Sequence, residues 1–154
     1  MSKPNSFLFS AIDINSLPPS EMRYNTVADW VVTTDEKEEK TLHLYYPDLP
    51  FVHERPDLLF LLLTHEQIEA EICLHMGISQ QDVDEFDMEF EKNRQFGDNG
   101  EPGDHLAAPY YVAHQLAEAV EKTLALKMKI DWNFYGKWVD LIFSQVCQAR
   151  STKK

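Results

Sequence analysis

The chain has 154 residues, of which 44% are hydrophobic, and its formal net charge at pH 7 is −12. A chain of this size can bury a core without disulfides, so we expect one globular domain over residues 23–150. The acidic excess argues against direct binding to nucleic acid, because phosphate contacts require clustered Lys and Arg side chains.

Neither the cysteines nor the apolar runs indicate secretion or a membrane. Cys73 and Cys147 lie far apart and form no CxxC pair, which is typical of reduced thiols in a cytosolic protein. The first residues lack an apolar stretch long enough for a signal peptide, and residues 58–63 are too few to span a bilayer. We therefore expect a cytoplasmic protein that does not bind membranes.

The N-terminal third predicts an irregular arm followed by a β-hairpin. Residues 1–22 contain several prolines and serines, which favour an irregular arm. Residues 27–34 and 40–47 are rich in β-branched and aromatic side chains, and the charged segment DEKEE separates them, so they predict a hairpin. In the second segment Leu42 and Leu44 alternate with polar and aromatic residues, which indicates a sheet with one buried face. The proline-containing stretch PDLPFVHERP that follows is expected to be a loop.

Two helices follow this loop. The first is expected to begin near Pro56, which tolerates the first helical turn, and to end at Gly77. Ser79 is placed to cap a second helix over residues 80–93. We expect the acidic residues of this second helix to form a solvated face: Asp82, Asp84, Glu85, Asp87, Glu89 and Glu91.

Two further helices complete the chain. A glycine-rich loop over residues 96–104 ends at Asp104, which we expect to cap a third helix over residues 105–129. Asp131 is expected to cap a fourth helix with this apolar stripe: Phe134, Trp138, Leu141, Ile142 and Val146. The predicted fold is therefore α+β and α-rich, with an N-terminal hairpin packed on about four helices.

Histidine and glutamate interrupt the apolar seam of the first helix. Steps of four and three residues along it collect Leu58, Leu62, His65, Glu69, Ile72 and Met76. A buried carboxylate is costly unless a partner or a metal compensates its charge. Because His65 and Glu69 are four residues apart, their side chains can converge on one atom.

The third helix repeats this pattern. The same steps collect Tyr110, His114, Ala117, Glu121, Leu124 and Met128. Packing the two seams together would bring His65, Glu69 and His114 into one metal site, and whether Glu118 or Glu121 joins it stays open. Alternatively, the three side chains form a hydrogen-bonded part of the core. Four other residues are ordinary surface positions and are not expected to bind metal: His53, Glu71, His75 and His105.

The segment HEQIE at residues 65–69 resembles the zincin metalloprotease motif HExxH, with glutamate in place of the second histidine. The resemblance implies that His65, Glu69 and His114 are ligands of zinc and that Glu66 is the general base. It further implies hydrolysis of a peptide or amide bond in a peptide or protein substrate. The carboxylate-rich ligand set also suits Mn or Fe.

Three longer segments, RYNTVADW, HEQIEAEICLHMGIS and APYYVAHQLAEAVE, look similar to a group of small, uncharacterised bacterial and phage-type proteins. That similarity carries no established function. A second hypothesis is therefore a non-enzymatic interaction protein whose acidic surface imitates a polyanion and binds a basic partner. In that case the His/Glu cluster is structural.

Overall fold

The computed structural model describes residues 8–153, which form a three-stranded sheet and five helices. The strands are β1 (Ala11–Leu17), β2 (Asp29–Thr34) and β3 (Lys40–Pro47). The helices are α1 (Pro50–His53), α2 (Pro56–His75), α3 (Gln80–Lys92), α4 (Tyr111–Lys127) and α5 (Trp132–Ser151). The predicted α-rich α+β class is confirmed.

The sheet has β3 at its centre, antiparallel to β2 and parallel to β1. The predicted hairpin of β2 and β3 is confirmed, with Trp30 opposite Leu44 in its register. Leu42 and Leu44 are fully buried, as their alternation indicated. This face of the sheet belongs to the core that also contains residues of α2, α3 and α4.

The prediction of an irregular arm over residues 1–22 is wrong for residues 11–17, which form β1; residues 1–7 of that arm lie outside the described part. The strand pairs with β3 along its whole length, from Ala11 opposite Thr41 to Leu17 opposite Pro47. Its isoleucines, Ile12 and Ile14, are exposed, so the strand is stabilised by backbone pairing and not by a buried face. The predicted loop after β3 likewise contains the single turn of α1.

Three of the four predicted helix starts are confirmed, and two of these three have a side-chain cap. Helix α2 begins at Pro56 as predicted, and Ser79 and Asp82 form a reciprocal capping box at the start of α3. Asp131 accepts a hydrogen bond from the Phe134 N–H at 2.7 Å, which caps α5. The predicted cap at Asp104 is wrong.

Helix α4 begins at Tyr111 instead of residue 105, and a 3-10 turn over Pro102–Asp104 precedes it. Pro109 explains the later start, because a proline disfavours helical conformation in the residue before it. No helix of residues 8–153 is long and apolar enough to cross a membrane.

The acidic face of α3 is only partly solvated, so that prediction needs correction. Asp87 is buried, and the hydroxyl groups of Tyr24 and Tyr110 both donate hydrogen bonds to it. Asp84 forms an ion pair with Arg23 of the segment before β2. Asp87 lies four residues after the buried Val83 and therefore on the same side of the helix.

The apolar core has two parts that meet at α2. One part joins the sheet to α2, α3 and the start of α4, and the other joins α1 and α2 to α5. Helices α2 and α4 pack directly against each other. The two helices also carry four buried polar residues, His65, Glu69, His114 and Glu121.

Candidate metal centre

The structure brings His65, Glu69 and His114 together between α2 and α4, as the two seams predicted. His65 and Glu69 occupy successive turns of α2, and His114 lies in the first turn of α4. All three are buried, with exposed fractions of 7%, 5% and 5%. Their donor atoms form a group that can hold a metal ion.

The donor atoms of this group form a small triangle. Glu69 Oε2 lies 2.8 Å from His114 Nδ1 and 3.4 Å from His65 Nε2. The two nitrogens, His65 Nε2 and His114 Nδ1, are 3.3 Å apart. All three atoms are close enough to contact one central ion, and the same distances allow hydrogen bonds among them.

Further side chains contact the parts of the triad that face away from this triangle. Glu121 Oε2 lies 2.8 Å from His65 Nδ1, and the hydroxyl of Tyr135 donates a hydrogen bond to Glu121 Oε1. The indole N–H of Trp30 donates to Glu69 Oε1 at 3.0 Å. Of the two residues that sequence reasoning left open, Glu121 therefore contacts the cluster.

The Trp30 contact depends on the edge of the sheet. Gln80, the first residue of α3, donates its amide to the Trp30 carbonyl at 2.9 Å and accepts from the Val32 N–H at 2.8 Å. This side chain thus takes the place of a neighbouring strand beside β2. It holds the Trp30 backbone at the position from which the indole reaches Glu69.

The second nitrogen of His114 faces the turn before α4. His114 Nε2 lies 3.1 Å from Glu101 Oε2 and 3.4 Å from Asp104 Oδ1. Gly103 packs so closely on the His114 ring that a Cβ at this position would overlap it. Glu101, Asp104 and His114 form a second group with metal-ligand spacing, but both carboxylates are exposed.

The electrostatics of the cluster are those of imidazolium–carboxylate pairs. Burial alone would lower the pKa of His65, but its hydrogen bonds with Glu121 and Glu69 raise that pKa well above its ordinary value. The pKa of His114 is also raised, because contacts with Glu101 and Glu69 outweigh burial. Burial would raise the pKa of Glu69, but its contacts with the two histidines lower it.

A cavity of about 290 Å³ opens beside the cluster, and Glu66 lines it together with the three candidate ligands. Burial and the neighbouring Glu69 carboxylate raise the pKa of Glu66 well above its ordinary value, although His65 opposes this effect. Glu118 also lines the cavity but forms an ion pair with Lys122 at 3.3 Å and does not contact the triad.

Two of the histidines that were not expected to bind metal lie in other contacts. His53 Nε2 is 2.6 Å from Asp48, and His105 Nδ1 accepts the Ala107 N–H at 3.2 Å. Sequence reasoning missed Trp30, Glu101 and Tyr135 as neighbours of the cluster. Glu101 lies in a loop without periodicity, and the two aromatic residues come from other elements, so no spacing signals any of the three.

No protein-family model, curated protein or solved structure matches the chain. The resemblance to zincins therefore stays a prediction, and any functional conclusion depends on the site itself.

Proposed function

We propose that the chain is a metal-dependent hydrolase in which His65, Glu69 and His114 bind one divalent ion. The observation that carries this proposal is the spacing of their donor atoms, at 2.8, 3.3 and 3.4 Å. Ligands at 2.0–2.1 Å from a tetrahedral zinc ion lie about 3.3 Å from one another. Little movement would be needed to admit the ion.

The surrounding charges also support an ion at this position. Glu69 contacts both histidines, while Glu121 contacts His65 and the half-exposed Glu101 contacts His114, so three carboxylates surround two imidazoles. A divalent ion would replace the protons that the histidines otherwise hold, since binding requires neutral imidazole and releases protons. Two histidines and one carboxylate form the ligand set of several zinc hydrolases and also of non-haem iron sites. We propose zinc, with manganese or iron as the alternatives.

The proposed reaction is hydrolysis of a peptide or amide bond. With His65, Glu69 and His114 as its protein ligands, a bound zinc ion would also bind water and would lower the pKa of that water from about 15.7 to about 7. Glu66 lines the same cavity as the ligands, and in this proposal it would accept a proton from the attacking water. It would then return this proton to the leaving amine, so that proton transfer balances over the reaction.

The charge of the cavity bears on the class of substrate. Arg94 is the one Lys or Arg among the cavity-lining residues of the described chain, and Glu91 already pairs with it. The lining also includes Glu101, Glu118 and Asp140. Such a surface repels phosphates and acidic peptides, so we propose a substrate that is neutral or positively charged next to the scissile bond.

Elemental analysis of the chain, purified without added metal and again after loading with zinc, tests the first step. We expect about one ion per chain in the wild type, in line with one three-ligand site, and a large loss in His65→Ala or His114→Ala. Glu71→Gln is the matched control, because Glu71 lies on α2 away from the cluster. A wild-type chain that retains no metal after loading would contradict the proposal.

Glu66→Gln tests the catalytic step. It should keep the metal and lose roughly 10²- to 10⁴-fold in turnover, the usual contribution of a general base. The assay uses fluorogenic peptides with acidic, neutral or basic residues at the cleavage site. Turnover by Glu66→Gln equal to that of the wild type would rule out Glu66 as the base.

A second candidate function is supported by the completeness of the hydrogen bonds. Within residues 8–153, Trp138 Nε1 is the one buried side-chain polar atom without a partner, so the cluster is satisfied without an ion. The cluster would then be structural, and the chain would act as an acidic interaction protein. A binding partner that is lost at high salt but retained when His65 and Glu69 are both replaced would favour this candidate.

A further inference from the structure

We infer that Glu121 and Tyr135 are positioning residues that hold the His65 ring in the tautomer and orientation required for metal binding. The inference rests on the proposed function. It assigns a role to the contact between Glu121 and His65 Nδ1, because Nδ1 is the ring nitrogen that faces away from the triad.

The His65 ring is held at both of its nitrogens. Nε2 faces the triad, at 3.4 Å from Glu69 Oε2 and 3.3 Å from His114 Nδ1. Nδ1 faces away from the triad and lies 2.8 Å from Glu121 Oε2. Glu121 lies seven residues after His114, which is about two turns of α4, so one helix contributes both a ligand and the residue behind another ligand.

Tyr135 completes this arrangement from a third helix. Its hydroxyl donates to Glu121 Oε1, which leaves Oε2 free to accept from His65. Glu121 and Tyr135 are 6% and 2% exposed, so solvent does not compete for these hydrogen bonds. The two carboxylate oxygens therefore have separate partners, one on α5 and one on α2.

The chemistry of imidazole explains why this matters. A neutral histidine carries one N–H, and a metal requires the lone pair of the other nitrogen. A carboxylate at Nδ1 can only accept, so it selects the Nδ1–H tautomer and leaves the Nε2 lone pair directed at the triad. Such partners of ligating histidines fix the ring and raise its basicity.

Replacing Glu121 by glutamine would leave the size of the side chain nearly unchanged but would disturb the choice of the His65 tautomer. Glutamine offers one accepting oxygen, for which Tyr135 and His65 would compete, and one NH₂ group, which can only donate. An NH₂ group facing Nδ1 would favour the opposite tautomer, with a proton on Nε2 where the ion should bind. The Glu101 and Asp104 carboxylates behind His114 are 49% and 53% exposed, so their removal should have a smaller effect.

The test measures zinc affinity of the full chain by competition with a chromophoric chelator. We expect Glu121→Gln to weaken zinc binding 10- to 100-fold, the range typical for such partners. Tyr135→Phe should weaken it less, and Glu101→Gln less than Glu121→Gln. Glu118→Gln is the matched control and should leave zinc affinity unchanged. Glu118 lies one turn before Glu121 on α4 and lines the same cavity, but it pairs with Lys122 and contacts none of the three candidate ligands.

Nitrogen NMR of the zinc-loaded chain gives a readout that a purely structural role would not produce. In the wild type the His65 ring should show a protonated Nδ1 and a zinc-bound Nε2. In Tyr135→Phe, which provides the test if Glu121→Gln does not fold, the His65 Nδ1–H signal should shift and exchange faster with solvent.

The outcomes separate the two proposals. A wild type that binds no zinc would overturn the proposed function and this inference together. A wild type that binds zinc, with Glu121→Gln or Tyr135→Phe binding as tightly and with an unchanged His65 spectrum, would overturn the inference alone. Loss of stability in the metal-free variants without a change in zinc affinity would also overturn it, since the pair would then be structural.

Discussion

Asp87 should make the stability of the protein depend on pH, and Asp87→Asn is the substitution that tests this. Its side chain is 6% exposed and accepts hydrogen bonds from the hydroxyls of Tyr24 and Tyr110. Burial raises the pKa of Asp87 from 3.8 to about 7, although the two hydrogen bonds act in the opposite direction. The carboxyl group therefore holds its proton more tightly in the folded chain than in the unfolded chain.

The sign of the effect follows from this difference. Below about pH 4, Asp87 is protonated in both states and makes its full contribution to stability. Between about pH 4 and pH 7 the unfolded chain releases the proton while the folded chain retains it, so the free energy of unfolding falls as pH rises. A difference of about three pKa units, at about 1.4 kcal/mol per unit, sets an upper bound of about 4 kcal/mol on this loss.

Asp87→Asn retains the shape of the side chain and cannot ionise. We expect its free energy of unfolding, relative to that of the wild type, to increase by up to about 4 kcal/mol between pH 4 and pH 8. Urea denaturation at a series of pH values, with chelator present to exclude metal binding, measures this difference.

Glu85→Gln is the control on the same helix, because Glu85 is exposed and its substitution should add no comparable dependence. If the difference in free energy of unfolding between the wild type and Asp87→Asn stays constant from pH 4 to pH 8, the reasoning is refuted. A variant that becomes relatively less stable as pH rises would show that the tyrosine hydrogen bonds outweigh burial.

Three further predictions concern the metal site and the helix ends. Zinc at about 100 times its Kd stabilises the folded chain by about 2.7 kcal/mol, so chelation should lower the melting temperature of the zinc-loaded wild type by about 5–11 °C in differential scanning calorimetry. The melting temperature of His65→Ala should not change on chelation. Gly103→Ala should displace the His114 ring and weaken zinc affinity in the chelator competition; unchanged affinity would contradict the close packing. Ser79→Ala should destabilise the protein by about 1 kcal/mol in urea denaturation, and a neutral result would show that the capping box at α3 is not formed in solution.

The sequence by itself determined the features that depend on neighbouring residues. The starts of α2, α3 and α5 are marked by Pro56, Ser79 and Asp131, because the fixed φ of proline and side-chain capping both act within one helical turn. The hairpin followed from two short β-rich segments and the charged turn between them. The spacing of His65 and Glu69 placed both on one face of a helix, since residues four apart are neighbours in any helix.

Only the tertiary structure decided which distant groups meet these residues. Strand β1 forms because it pairs with β3 some thirty residues later, a contact that its exposed isoleucines do not indicate. Trp30 reaches Glu69 from the sheet, and Glu121 reaches His65 across the packing of α2 and α4. Spacing along a chain specifies which side chains share a face, but the partner of that face depends on how whole elements pack, and no local pattern encodes it.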